Sequence, residues 1–143
     1  DILYANTTTT LAKLHPGTAG QVLITNGPNA APSWGTSTIS APVTKTADFT
    51  LADSESWVIN NKSGSTCIVT LPTPSGYTGR QVTFKNMQAQ FLVSASNNVV
   101  PLDSISAGTA ILLDVIGNWA TMVSDGTNWV IMQAASNNNL LLE

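Results

Sequence analysis

Between Trp119 and Gln133 the chain reads WATMVSDGTNWVIMQ, two apolar runs separated by Asp125-Gly126-Thr127-Asn128. Asp-Gly accepts positive backbone angles at low steric cost, so a short polar break between runs rich in Trp, Val, Ile and Thr predicts a β-hairpin. With those four residues as the loop, Ser124 faces Trp129, Val123 faces Val130 and Met122 faces Ile131. Trp119, Met122, Trp129 and Ile131 are then the expected core of the hairpin. Both faces come out apolar, whereas a strand with one face in water alternates apolar and polar residues. Such a ribbon needs cover on two sides. One cover is the subunit's own core, and a neighbouring copy of the chain is a candidate for the other. Burying Trp119 and Trp129 at about 150–250 Å² each would contribute roughly 4–6 kcal/mol apiece before opposing terms.

The same punctuation recurs upstream. Short apolar or alternating runs predict strands near Phe49–Leu51, Ser56–Asn60, Cys67–Leu71, Gln81–Lys85, Phe91–Ser94, Val99–Leu102, Thr109–Val115, Ala120–Ser124 and Trp129–Met132. In QVTFK, Val82 and Phe84 share one face and Thr83 and Lys85 the other. Turn residues separate these runs, among them Lys62-Ser63-Gly64-Ser65, Pro72 to Gly76 and Gly117-Asn118. This spacing predicts an all-β, short-stranded antiparallel sandwich or prism, with helix almost absent.

Residues 1–40 differ in kind. Ile2-Leu3-Tyr4, Leu11 with Leu14, Val22-Leu23-Ile24 and Trp34 are split by His15-Pro16-Gly17, Asn26-Gly27-Pro28 and Ala31-Pro32. Breakers this frequent hold strands to about four residues, too short to bury their own side chains. The segment reads as an extended arm needing a platform, either three copies wound about one axis or a groove on the following domain. Leu3, Leu11, Leu14, Val22, Ile24 and Trp34 are its expected packing residues. Residues 37–46 read as a polar connector, 41–135 as the β domain, and 136–143 as a polar tail ending in what read as vector residues, Leu142-Glu143. The opening Asp-Ile-Leu-Tyr suggests a fragment of a longer chain.

Composition narrows the function classes. Charged residues make up 9% of the 143, against about 25% in an ordinary soluble domain. The hydrophobic fraction stays at 43%, which excludes disorder, and no apolar run approaches the ~20 residues of a spanning helix. The net charge of −3 and five scattered cations give no basic footprint for nucleic acid. No cofactor or metal is expected. A single His15 and a single Cys67, the latter a core residue by alternation, cannot complete a zinc site. His15 also lacks the partners of a nucleophilic triad, and carboxylates such as Asp53, Glu55 and Asp125 fall in turns, so no catalytic residue is assigned. Tyr77 and Arg80 are the surface candidates for ligand binding, because each combines a flat face with hydrogen-bonding atoms. The alternative is that Tyr77 packs back on the sheet and Arg80 opens the next strand.

Four pieces of the arm resemble the shaft repeats of tailed-bacteriophage tail fibres: Asp1 to Ala5, Thr10 to Leu14, Gly17 to Leu23, and Ala31 to Trp34. Residues 44–133 resemble a domain found beyond such repeats, through Trp57 to Asn61, Val69 to Pro72, Thr78 to Asn86 and the hairpin. The resemblance implies a non-enzymatic homotrimeric virion protein that packs against other virion proteins. Its expected location is a tail fibre contacting a host receptor or glycan. The rival expectations are a capsid-bound head fibre or decoration protein, and a carbohydrate-binding module.

Overall fold

The computed structural model describes residues 1–8, 10–36 and 40–135; the expected polar tail and vector residues lie outside them. The chain divides into two compact units, Asp1–Ile39 and Ser40–Glu143. All described regular structure is β apart from one 3-10 turn, Pro74–Gly76.

The first unit is a pair of antiparallel hairpins. Strand β1 (Ile2–Ala5) pairs with β2 (Leu11–Leu14), and β3 (Gln21–Ile24) with β4 (Ser33–Thr36). Trp34 Nε1 donates to the His15 carbonyl at 2.6 Å. The Trp34 ring leaves no room at Gly17, where an added Cβ would stand 2.8 Å from it. Glycine there is what lets the ring close over the His15–Pro16 turn.

In the second unit the strands are β5 (Val43–Lys45), β6 (Phe49–Thr50), β7 (Trp57–Asn60), β8 (Cys67–Thr70), β9 (Gln81–Asn86), β10 (Leu92–Ser94), β11 (Val99–Val100), β12 (Ala110–Leu112), β13 (Trp119–Ser124) and β14 (Trp129–Ala135). One sheet has the order β11-β14-β13-β9-β7-β5 and the other β12-β10-β8-β6. From β5 to β10 the chain drops alternate strands into the two sheets. Within each sheet those strands pair in parallel, β5 to β7 to β9 and β6 to β8 to β10. The expectation of an antiparallel fold is therefore corrected: the first half of the unit is a short parallel winding, and only the second half is mainly antiparallel. Each crossing between sheets carries the chain back to the same end, so no tight hairpin joins neighbouring strands. A further correction is β5, which falls in the stretch expected to be a connector.

The winding stacks like residues in columns. Val43, Val58 and Phe84 stand in register, followed by Ala120 of β13. Cys67 aligns with Leu92, and Leu92 with Leu112. Apart from half-buried Val43 at the end of its column, these residues, with Val69, Val82, Met122, Trp129 and Ile131, form one buried cluster fed by both sheets. The column Asn60–Asn86 is polar yet fully buried. Asn60 Nδ2 donates to Asn86 Oδ1 at 2.8 Å, and Asn86 Nδ2 donates to the carbonyls of Gln90 (2.8 Å) and Leu113 (2.7 Å). Complete satisfaction makes a buried amide tolerable.

The hairpin has the expected register, Ser124 to Trp129, Val123 to Val130 and Met122 to Ile131, with an irregularity between Thr121 and Met122 that shifts the pairing to Gln133. Trp129, Met122 and Ile131 are buried as expected. Trp119 is not: it is half-buried, because it stands an odd number of residues from Met122 and the pleat turns it to the opposite face. That face is only partly covered. Val123 and Val130 are half-buried, while Trp57 and Met132 are exposed.

Candidate functional site

The ligand candidates Tyr77 and Arg80 lie where three loops meet: residues 51–56, residues 71–80 and the hairpin loop. Sequence chemistry builds each contact. Asp125 Oδ1 accepts the N–H groups of Thr127 and Asn128, both at 2.7 Å, closing the hairpin turn, and Gly126 supplies a φ of +95°. Ser124 then binds the neighbouring loop, its Oγ donating to the Pro74 carbonyl at 2.8 Å and its carbonyl accepting from Gly79 N–H at 2.8 Å. Trp129 Nε1 donates to the Pro72 carbonyl at 3.0 Å.

Arg80 joins this loop to the third. Its Nη2 donates to the carbonyls of Ala52 (2.6 Å) and Glu55 (3.0 Å). The guanidinium lies over the Tyr77 ring, 5.0 Å from its centroid, and only 13% of the side chain is exposed. Its Nη1 has no hydrogen-bond partner among the described residues and stands 3.8 Å from Asp53 Oδ1. Tyr77 packs against the core cluster, and its hydroxyl donates to Asp53 Oδ1 at 2.5 Å. That bond, together with burial, pushes the phenol pKa up, so Tyr77 remains a donor. Beneath them Lys45 Nζ meets Glu55 Oε1 at 2.6 Å, and Ala52 N–H donates to Oε2 at 3.0 Å. Burial works against the Glu55 carboxylate, but these bonds outweigh it and hold its pKa below the usual range.

Most of the polar atoms here are thus engaged within the fold. What the end of the domain offers to a partner is the Asp53 carboxylate, 79% exposed on its side chain, with a phenol already bound to it. That arrangement can accept hydrogen bonds from a partner. His15, the one histidine, belongs to the other unit, where its Nδ1 lies 3.3 Å from Asp1. Among the described residues no three of His, Cys, Asp and Glu stand close enough to hold a metal ion. Cys67 is buried.

Sequence reasoning reached Tyr77 and Arg80 but not Lys45, Glu55 or Asp53. Lys45 and Glu55 are ten residues apart, a spacing that means nothing in a helix or hairpin. Only the parallel winding, which sets β5 beside β7, brings them together.

The arm residues sit differently. Leu3 (64% exposed), Leu11 (70%), Val22 and Ile24 face solvent, while Leu14 and Trp34 are half-buried. Leu3 and Leu11 share one face of the first hairpin, and Val22 and Ile24 one face of the second.

Three carboxylates predict how the fold responds to acid. Asp48 is held below its usual pKa by hydrogen bonds from Lys62 and the Ile68 N–H, and Asp125 by those from Asn128 and Thr127; Glu55 is lowered as described. A depressed folded-state pKa contributes stability that is full above the unfolded value and is lost as pH falls through the folded one. The melting temperature is expected to hold level down to about pH 5 and to fall below about pH 4, where free carboxylates titrate. Melting curves across that range check it, and a midpoint unchanged to pH 3 would contradict it.

No family model matches this chain, and no curated protein matches it. The resemblance to fibre shafts therefore rests on its own residues.

Proposed function

We propose that this chain is a non-enzymatic structural protein of a bacteriophage virion. In this reading it is a fibre module of three identical copies, with the arm built into the shaft and the β domain, a two-sheet sandwich closed by the winding, turned to the host surface. The observation that carries it is that no described residue of the arm is buried. An isolated two-stranded hairpin is marginal in water at best, and here two hairpins expose Leu3, Leu11, Val22, Leu23 and Ile24 together.

The surroundings of those side chains favour copies of the same chain as their cover. No charged residue occurs between His15 and Lys45, so the second hairpin meets its own likeness without repulsion. The charges of the first hairpin are drawn to one end, where Lys13 Nζ lies 3.0 Å from Asp1. The four shaft-like pieces of the arm point to the same assembly.

In solution the chain is expected to have three times its 14.9 kDa mass, measured by light scattering at micromolar concentration. A monomer there would refute the assembly. Gold-labelled antibody against the chain is expected to decorate the fibres of intact particles, and labelling confined to the capsid shell would move the protein to the head.

A further inference from the structure

The loop between β11 and β12 ends in an apolar knob. Ile105 is 98% exposed, and Leu102 beside it is exposed as well. The turn presenting them is ordered, with Ser106 N–H donating to Ser104 Oγ at 3.0 Å and Ser104 N–H to the Pro101 carbonyl at 3.4 Å. A fully exposed isoleucine on a fixed turn gains nothing within its own chain.

The same unit contains a matching socket. A cavity of about 250 Å³ is lined by Ile111, Leu113, Asn118, Trp119 and Ala134, among others. At its degree of exposure Ile105 cannot fill the cavity of its own chain. The lining is mainly apolar, which suits an occupant of apolar bulk.

Charge agrees with shape. Lys85 is the cross-strand neighbour of Trp119, and it makes no ion pair among the described residues, unlike Lys13, Lys45, Lys62 and Arg80. Asp103 in the knob loop is unpaired in the same sense.

We propose that the Leu102–Ile105 loop of one copy seats in the Trp119–Ala134 cavity of the next, closing a ring of identical subunits. The contact is heterologous, with two different patches meeting, and such contacts close only when the rotation between neighbours is cyclic. The inference rests on the homotrimer reading and adds to it which surfaces of the β domain meet.

The full chain carrying Ile105→Cys and Ala134→Cys is expected, on mild oxidation, to form a covalent closed trimer on a denaturing gel, while each single variant forms none. The only native thiol, Cys67, is buried. An oligomer by light scattering that yields no cross-link between copies, or a disulfide within one chain, overturns the knob-and-socket contact and leaves the trimer standing. A monomer overturns both. Ile105→Asp is expected to leave the circular-dichroism spectrum of the folded chain unchanged and to weaken self-association about tenfold or more, the effect of losing a central contact residue. Unaltered assembly of that variant would also overturn the contact.

Discussion

Trp129→Ala is expected to unfold most of the β domain. The side chain is fully buried between the two sheets, and large-to-small changes of this kind cost about 3–5 kcal/mol. Removing the indole also leaves the Pro72 carbonyl without its 3.0 Å donor, a further loss of roughly 1–3 kcal/mol if the carbonyl stays buried. A domain of this size has only about 5–15 kcal/mol to lose. Trp129→Phe, which retains most of the apolar area, separates the two contributions and is expected to cost less than half as much. Urea denaturation followed by circular dichroism measures both. Trp119→Ala serves as the contrast, because Trp119 is half-buried and its loss should leave the fold intact. A Trp129→Ala midpoint equal to wild type would show that the two sheets do not depend on the indole between them.

That contrast shows what was legible in the sequence. Hairpin register followed from the turn chemistry of Asp125 and Gly126, and the same register already fixes the parity that sends Trp119 away from Met122. Large size suggested a core tryptophan, but the pleat decided otherwise. Strand positions were largely legible because Val, Ile and Phe alternate with polar residues over short runs. Pairing was not. In a parallel winding the partner of a strand lies two strands along, across a crossing of variable length, and no local turn signal marks it. Val43 pairs with Val58, and Val58 with Phe84, steps of unequal length that conceal any repeat. For the same reason β5 looked like a linker: three residues with a single apolar side chain form a strand only because β7 runs beside them.

The same topology explains the loop-bearing end. Tyr77 and Arg80 attracted notice as residue types, but their contacts depend on crossings that place residues 51–56 against residues 71–80. Arg80 holds the loops through two carbonyls, so its chemistry is spent mainly on the fold. Beside the exposed Asp53, the surfaces left open are mainly apolar: the arm hairpins, the outer face around Trp57 and Met132, and the knob at Ile105. A chain with charge scarce throughout and its few ions mostly paired internally is suited to packing against flat, neutral surfaces, and copies of itself meet that description.

Asn86→Leu is expected to be nearly as damaging as the loss of Trp129, although it makes the interior more apolar. Asn86 occupies the point where β9 stacks on β7 and where the loops after β9 and β12 turn back. Its amide accepts from Asn60 and donates to Gln90 and Leu113. Leucine has similar bulk but leaves one donor and two acceptors unmet, at about 1–3 kcal/mol each where water cannot reach them. Asn86→Asp distinguishes this explanation from simple misfit. An ionised carboxylate still accepts from Asn60 but faces two carbonyls with no proton to offer, so the variant should be strongly destabilised at neutral pH. Burial raises the pKa of such a group. Protonation therefore restores one donor, and stability lost at neutral pH should return in part as the solution is acidified toward about pH 5, above the range in which the native carboxylates titrate. Thermal melts of wild type and both variants at the two pH values test this. Equal destabilisation of Asn86→Asp at both would mean that the polar column contributes through its shape alone.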